Sequence, residues 1–229
     1  NALAVLHWQL AAAPVPLPVP VTAASMAAPA RLTWRSLAAA GATRPNLLVG
    51  CAPCRPARSA GAAVRVAAFD LDGTLLRKEE KPWLRKSPTT LFSDAVPRAL
   101  ALLAARGFDL VILTNQNTIK GAHDGKNAAK FKRTVEDLAA ATPSLPWTVL
   151  AATQKDAFRK GHGTALWDFY TAELLAPATV DLPNSFFVGD AAGRPDDWSR
   201  SDADFAAAVG IPFFTETYFW AQHEALASK

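Results

Sequence analysis

Val64-Arg65-Val66-Ala67-Ala68-Phe69-Asp70-Leu71-Asp72-Gly73-Thr74 is the stretch on which the reading of this chain turns. Val64 to Phe69 is a short, mainly apolar run bounded by charge and glycine, the pattern of a buried strand. Two carboxylates follow at its end. Side chains two apart on an extended chain point the same way, so Asp70 and Asp72 can share one site just past the strand. Gly73 lets the backbone turn close to a ligand, and Thr74 adds a hydroxyl. Asp-x-Asp-Gly also suits an ordinary turn, so the rest of the chain has to decide.

Downstream, apolar runs alternate with helical patterns. Arg77 to Leu91 is rich in charge and proline and reads as a loop over the strand ends. Ser93-Asp94-Ala95-Val96-Pro97 resembles a helix start, with proline tolerated in the first turn and Gly107 ending the helix. Leu110 to Leu113 is a second buried strand, delivering Thr114-Asn115-Gln116. A helix over Ala128 to Ala141 leads to a strand over Thr148 to Ala152. A helix over Thr164 to Leu175 precedes the strand Ser185 to Val188, which ends at Gly189-Asp190. A helix over Asp202 to Val209, a short strand Pro212 to Phe214 and a last helix complete the chain. Strands alternating with helices over short links predict an α/β, Rossmann-like three-layer sandwich with a parallel sheet. Ligands of such sheets bind beyond the carboxyl ends of the strands. Asp70, Thr114 and Asp190 each lie at such an end.

The 229 residues hold 24 basic and 20 acidic side chains. No acid precedes Asp70, and the charges before it are Arg31, Arg35, Arg44, Arg55, Arg58 and Arg65. Without those six arginines, 18 basic residues face 20 acidic ones, so the basicity is assigned to the N-terminal segment and gives no case for nucleic-acid binding by net charge. Leu10 to Ala24 is apolar, but Pro14, Pro16, Pro18 and Pro20 interrupt it, which excludes a membrane span. No basic residue precedes it, which argues against a secretory signal. Met26 opens an Arg-, Ala- and Ser-containing stretch that resembles an organelle transit peptide. A leader with no address, or translation from upstream of the true start, fits equally. Residues 1–62 are therefore expected to be a disordered leader, and 63–225 the folded domain. Cys51 and Cys54 read as incidental thiols, since a lone Cys-x-x-Cys lacks the other two ligands of a structural zinc site.

The remaining candidate is Lys160, in Phe158-Arg159-Lys160-Gly161. Asp70, Asp72 and Asp190 within a few ångströms would repel by about 4 kcal/mol per pair at an effective dielectric of about 20. A hard divalent cation, most plausibly Mg²⁺, and one ammonium would offset them. A carboxylate such as Asp70 is read as ionised at neutral pH without help.

The order Asp-x-Asp-Gly-Thr, Thr-Asn, Lys, Gly-Asp resembles the four-part signature of the haloacid-dehalogenase superfamily. The resemblance implies that superfamily's fold with a minimal cap. By it, Asp70 attacks phosphorus and forms an aspartyl-phosphate. Asp72 protonates the leaving oxygen and then deprotonates water. Thr114 and Asn115 hold the transferring phosphoryl, and Lys160 offsets its charge. Mg²⁺ is held by the Asp70 carboxylate, the Asp72 carbonyl and Asp190. Longer stretches resemble the polynucleotide 3′-phosphatases: Val66 to Leu75, Leu110 to Gln116, Ala152-Thr153 with Phe158-Arg159-Lys160, and Phe187 to Pro195 followed by Asp202, Phe205 and Gly210 to Phe213. This implies removal of 3′-phosphate from DNA ends, whether single-stranded, nicked or gapped, in single-strand break repair alongside other repair proteins. Gly73, Thr74, Gln116, Arg159 and Arg194 are then expected at the substrate, Arg194 either on a DNA phosphate or bracing its loop. Asp202 reaches the metal through water, steadies Lys160, or is only a helix N-cap. The site of action would be the nucleus, or a plastid or mitochondrion if the leader is a transit peptide.

Three departures from that family's pattern bear on substrate. Gly161-His162-Gly163 replaces a proline-containing link, Arg77 to Thr90 lacks the usual substrate-loop wording, and Ala208 stands where asparagine is usual. The basic run Lys120, Lys126, Lys130, Lys132 and Arg133 could track a strand by counterion release, or be a solvated helix face. The sequence shows no kinase half, so a phosphatase-only member is the expectation. The rival readings are a sugar- or histidinol-phosphate phosphatase of the same superfamily, and a non-catalytic DNA-end binder.

Overall fold

Two short strands, β1 (Thr33–Leu37) and β2 (Leu47–Cys51), open the sheet. The computed structural model describes residues 31–38, 42–78, 90–120 and 123–227, the side chains as far as 225. The apolar stretch Leu10 to Ala24, the transit-type reading of the first 30 residues and most of the loop expected over Arg77 to Leu91 lie outside the described residues. The chain then runs through β3 (Ala63–Phe69), α1 (Val96–Ala105), β4 (Phe108–Asn115), α2 (Lys126–Ala141) and β5 (Thr148–Ala152). Next come α3 (Ala165–Phe169, continued as a π-helical stretch over Tyr170–Leu175), β6 (Thr179–Val180) and β7 (Phe186–Gly189). The chain closes with α4 (Ser201–Val209), β8 (Phe213–Thr215) and α5 (Glu216–Ala227). The strand order is β1-β2-β5-β4-β3-β7-β8, with β6 beside β3. Pairing is parallel from β5 to β8 and antiparallel for β1–β2 and β2–β5. The expected mostly parallel three-layer α/β sandwich is what forms.

Each face of the sheet carries its own core. On one, Phe69, Leu110, Ile112, Val149 and Phe186 pack against α1, α2 and α5 through Leu100, Val135, Phe219 and Trp220. On the other, Val66, Ala68, Val111, Leu113 and Phe187 meet α3 and α4 through Trp167, Tyr170 and Phe205. The central strands are buried on both sides, which is why they read as continuous apolar runs and not as alternating ones.

The expected boundary at residue 62 needs correction, because the sheet begins at Thr33. Leu47, Leu48 and Val49 are fully buried, Leu48 in one core and its two neighbours in the other, as alternation along a strand requires. Trp34 of β1 lies across Gly50, where any Cβ would come within 2.7 Å of the indole. The loop after β2 is tied down by charge: Arg55 and Arg58 reach the fully buried Asp109 at 3.2 and 2.9 Å, and Tyr170 donates a hydrogen bond to it at 2.8 Å. Two of the segment's arginines thus find their counter-charge on β4. All six early arginines fall within the described residues, so the basicity belongs to the folded part as well.

Among the described residues after β3 the chain makes a tight turn, closed by Gly73 N–H to the Leu76 carbonyl at 2.7 Å, and Phe92 N–H returns to the Leu75 carbonyl at 2.9 Å. No helix among the described residues is long and apolar enough to cross a membrane. Cys51 and Cys54 are both free thiols.

On α5, His223 is buried between aromatic rings, 4.7 Å from Phe219, with Nε2 meeting no hydrogen-bond partner among the described residues. Burial first, then the charges of Arg106 and Arg98, push its pKa down to about 4. The folded state therefore keeps His223 neutral where the unfolded chain, titrating near 6.5, binds a proton. Stability from this source is complete above pH 6.5 and lost as pH falls towards 4, by about 3 kcal/mol in all. Urea unfolding at pH 7.5, 6 and 4.5 is expected to show that loss in the wild type and a flatter profile in His223→Leu. Equal slopes would refute it.

Candidate active site

Three parallel strands deliver the site. Asp70 follows β3, Thr114 and Asn115 end β4, and Asp190 follows β7, all at the carboxyl edge. They border a cleft of about 140 Å³, shared with Asp72, Lys160, Asp202, Lys78, Arg159 and Trp198. Every charged residue expected in the catalytic and metal sets is brought together there.

At the bottom lies a buried ion cluster. The Lys160 ammonium sits 2.6 Å from an Asp70 oxygen and 2.8 Å from an Asp202 oxygen, 5.1 Å from the face of the Phe187 ring. Burial favours losing its proton, but Asp202 and Asp70 together outweigh that and raise its pKa above the ordinary lysine value. Its backbone is held as firmly as its head: Lys160 N–H donates to the Asn115 side-chain oxygen at 3.0 Å, and the Asn115 amide donates to the Lys160 carbonyl at 3.3 Å. The resemblance has Asn115 hold the phosphoryl with Thr114; its side-chain oxygen and amide both bond the Lys160 backbone. Asp202 lies in the first turn of α4, not at its cap, where Ser199 accepts from Ser201 N–H at 3.0 Å. Its second oxygen accepts from Ala191 N–H at 3.1 Å. Of the readings offered for Asp202, steadying Lys160 is the one its contacts match.

Asp70 departs from its expected behaviour. Burial, which outweighs Lys160, together with the charges of Asp202 and Asp72 pushes its carboxyl up to about 7. At about 7 the carboxyl is only partly ionised at neutral pH, and further positive charge would favour its ionised form. Asp190 is likewise raised, chiefly by burial and against the pull of Lys78, whose ammonium pairs with it. Asp70, Asp190 and Asp202 present oxygens within 4.8 Å of one another. Among the described residues no thiol or imidazole borders the cleft. An all-oxygen set whose carboxylates are short of positive charge fits a hard divalent cation.

Asp72 is exposed and accepts from the Gln116 amide at 2.7 Å; the same amide donates to Thr114 Oγ1 at 3.2 Å. Gln116 thus links two expected site residues. Arg159 borders the cleft and donates to Asn117 at 2.6 Å. Arg194 is a brace: it binds Asp197 at 3.0 Å, Glu216 at 3.0 Å and the Asp190 carbonyl at 2.9 Å. Thr74 needs correction, because it is fully buried, does not border the cleft, and its hydroxyl meets no polar partner among the described residues. Its carbonyl accepts from the Trp220 indole at 2.9 Å. Gly73 adopts φ +90°, and a Cβ there would press within 2.6 Å of an Asp190 oxygen. Sequence reasoning missed Lys78, which carried no signal beyond a charged loop. It also missed Trp198, whose signal was one indole in an otherwise polar run, Asp196 to Arg200.

Gly189 sets the approach of α4. A Cβ there would lie 2.7 Å from the Asp202 Cβ, which cannot swing away while its carboxylate is held at both oxygens. Gly189→Ala is expected to cost about 1–3 kcal/mol in urea unfolding, as overpacked sites do. A loss below the error of the measurement would show that α4 can move.

The family model described as polynucleotide kinase 3 phosphatase matches residues 65–220. A bifunctional polynucleotide phosphatase/kinase of Schizosaccharomyces pombe is 34% identical over 160 residues, covering 68% of this chain and 37% of that protein. Polynucleotide 3′-phosphatase ZDP of Arabidopsis thaliana is 31% identical over 172 residues, covering 68% and 24%. An uncharacterized 20.8 kDa protein of Autographa californica nuclear polyhedrosis virus is 33% identical, and 85% of its length is matched. The match therefore spans well under half of each of the first two relatives. Among solved structures, a HAD-like phosphatase of Mesorhizobium loti superposes with a TM-score of 0.52 at 19% identity, over 74% of this chain and 78% of that one, a likeness of fold.

Proposed function

Because the chain belongs to the polynucleotide kinase 3 phosphatase family, we propose that it removes the 3′-phosphate from DNA ends in single-strand break repair, with Mg²⁺ and an aspartyl-phosphate on Asp70. One observation carries the reading: the match over residues 65–220 comes with a cleft in which Asp70, Asp72, Thr114, Lys160 and Asp190 meet.

In this reading an Asp70 oxygen bonds to phosphorus as the bond to the 3′ oxygen breaks. Asp72, at the exposed rim and oriented by Gln116, gives its proton to the departing oxygen. It then takes a proton from the water that attacks the aspartyl-phosphate, which frees inorganic phosphate and restores Asp70. Thr114 and Lys160 steady the negative oxygens of the transferring group, in a cleft too small for much besides a phosphate. Asp70, Asp190 and the Asp72 carbonyl would hold the cation, which supplies Lewis-acid charge to the phosphoryl oxygens. The low effective dielectric that raises Asp70 also strengthens each of these contacts.

The test is phosphate release in Mg²⁺ from a 3′-phosphorylated oligonucleotide, a 5′-phosphorylated one and a sugar phosphate. Release from the 3′ end alone, abolished in Asp70→Asn, is the expected result. Release chiefly from the sugar phosphate would overturn the substrate, and tight binding of the oligonucleotide without turnover would overturn the chemistry.

Trp198 adds a second check. It is 78% exposed at the rim of the cleft, a poor place for an indole unless a flat apolar partner covers it. A terminal nucleobase would do so by stacking, a contact worth about 1–3 kcal/mol per base. Trp198→Ala is expected to lower kcat/KM on the oligonucleotide by about 5- to 150-fold, with Trp198→Phe close to wild type. No change in either variant would remove Trp198 from the substrate path.

A further inference from the structure

Antiparallel pairing has a geometric consequence at the catalytic edge. Because β2 runs against β5, the residues that enter β2 lie where β5 ends, on the side of the sheet where the parallel strands present Asp70 and Thr114. Three hydrogen bonds fix that entry. The Gln154 amide donates to the Pro45 carbonyl at 3.3 Å, Thr153 N–H to the Asn46 carbonyl at 3.0 Å, and the Asn46 amide to Asp156 at 2.7 Å. Arg44 is thereby placed beside a recess of about 290 Å³ that it shares with Lys120, Lys155 and Asn117.

Among the described residues three cations and no carboxylate border this recess, and none of the three forms an ion pair with a described residue. Like charges gathered without a counter-charge repel, and an anion relieves them. The recess touches the catalytic cleft through Asn117, which borders both and is held by Arg159 at 2.6 Å. Other exits from the cleft differ in charge. The recess beyond Asp190 sets Asp190, Glu216 and Glu224 against Arg77, Lys78 and Arg194, with Lys78–Asp190 and Arg194–Glu216 already paired, and so lacks the uncompensated positive charge of the first. The one beyond Asp72 carries Arg77, Lys78 and Lys130, but Lys78 is already paired with Asp190.

Resting on the reading of the cleft as a 3′-phosphatase site, we propose that Arg44, Lys120 and Lys155 form a second phosphate site, which takes an internucleotide phosphate of the strand whose 3′-phosphate lies at Asp70. Arg44 stands outside the family-matched residues, so this part of the substrate path is built by the N-terminal strands of this chain. The site discriminates by length. A strand bearing internucleotide phosphates reaches it, and a single nucleoside 3′-monophosphate does not. Of the five basic residues after β4, Lys120 alone belongs to it. Lys132 is engaged with the His123 carbonyl at 3.0 Å, and Lys130 faces the other recess.

The test compares the wild-type chain with the triple variant Arg44→Gln, Lys120→Gln, Lys155→Gln. All three side chains are exposed, so the variant is expected to unfold in urea as the wild type does. Phosphate release is measured from a 3′-phosphorylated hexanucleotide and from a nucleoside 3′-monophosphate, in Mg²⁺ and across about 50 to 200 mM salt. The expected result is a loss of about tenfold in kcat/KM on the hexanucleotide through KM. Its log–log salt slope flattens by about 0.7, the figure for one phosphate on a single strand. Turnover of the monophosphate is unchanged. An unchanged hexanucleotide KM, or an equal loss on both substrates, would overturn the second site while the phosphatase reading stands. Failure of the wild type to act on the hexanucleotide at all would overturn both.

Discussion

The site depends on keeping three carboxylates at one sheet edge, two of them almost wholly out of water. Asp70 and Asp202 share the Lys160 ammonium, and removal of one partner from such a buried cluster leaves a charge unpaired at a cost of about 3–5 kcal/mol. Much of the nearby structure follows from that requirement. Asn115, at the end of β4, seats the lysine backbone with two hydrogen bonds. Gly189 lets α4 close onto β7 so that Asp202 can reach in. Arg194 ties the Asp190 carbonyl to Asp197 and Glu216, which stiffens the loop between strand and helix. The cleft edge and the folding core are thus joined by the same contacts, and the carboxylates left short of positive charge are the ones a cation would offset.

Much of this was legible in the sequence because the parallel strands are short, buried on both faces and each followed by a polar cluster. β4 is a case in point: the apolar run Leu110 to Leu113 ended where Thr114 and Asn115 were needed. β2 was not legible. Only Leu47-Leu48-Val49 marks it, among Pro, Arg and Cys, and its stability comes from pairing with β5 about a hundred residues away. Composition misled as well, since a segment without acids looked disordered when its counter-charge, Asp109, was supplied by β4. Side-chain direction was the other blind spot. Thr74 sits in the motif as a ligand would, yet it is fully buried and its carbonyl is held by the Trp220 indole. Asp70 looked like an ordinary carboxylate because sequence shows neither burial nor the nearness of Asp202.

The outer part of the chain does separate work from the motif-bearing part. Asp70, Thr114 and Asp190 come from the ends of parallel strands, whereas the recess beside them takes Arg44 from the bend that leads into antiparallel β2. A common phosphoryl-transfer centre can therefore acquire a different reach by changing what is added at the β5 side, without disturbing Asp70 or Lys160.

That arrangement also fixes what may be cut away. Residues 65–220 alone would lack β1 and β2, so β5 would become an edge strand with its ladder of N–H and C=O groups open along five residues. Leu150 and its neighbours would lose the apolar cover of Leu47 and Val49 at the same time. A flat, apolar, unpaired edge of this kind is a template for another chain, and self-association would compete with refolding. For this protein the sheet starts at Thr33, nearly forty residues before Asp70, and a unit that keeps β5 covered has to include it.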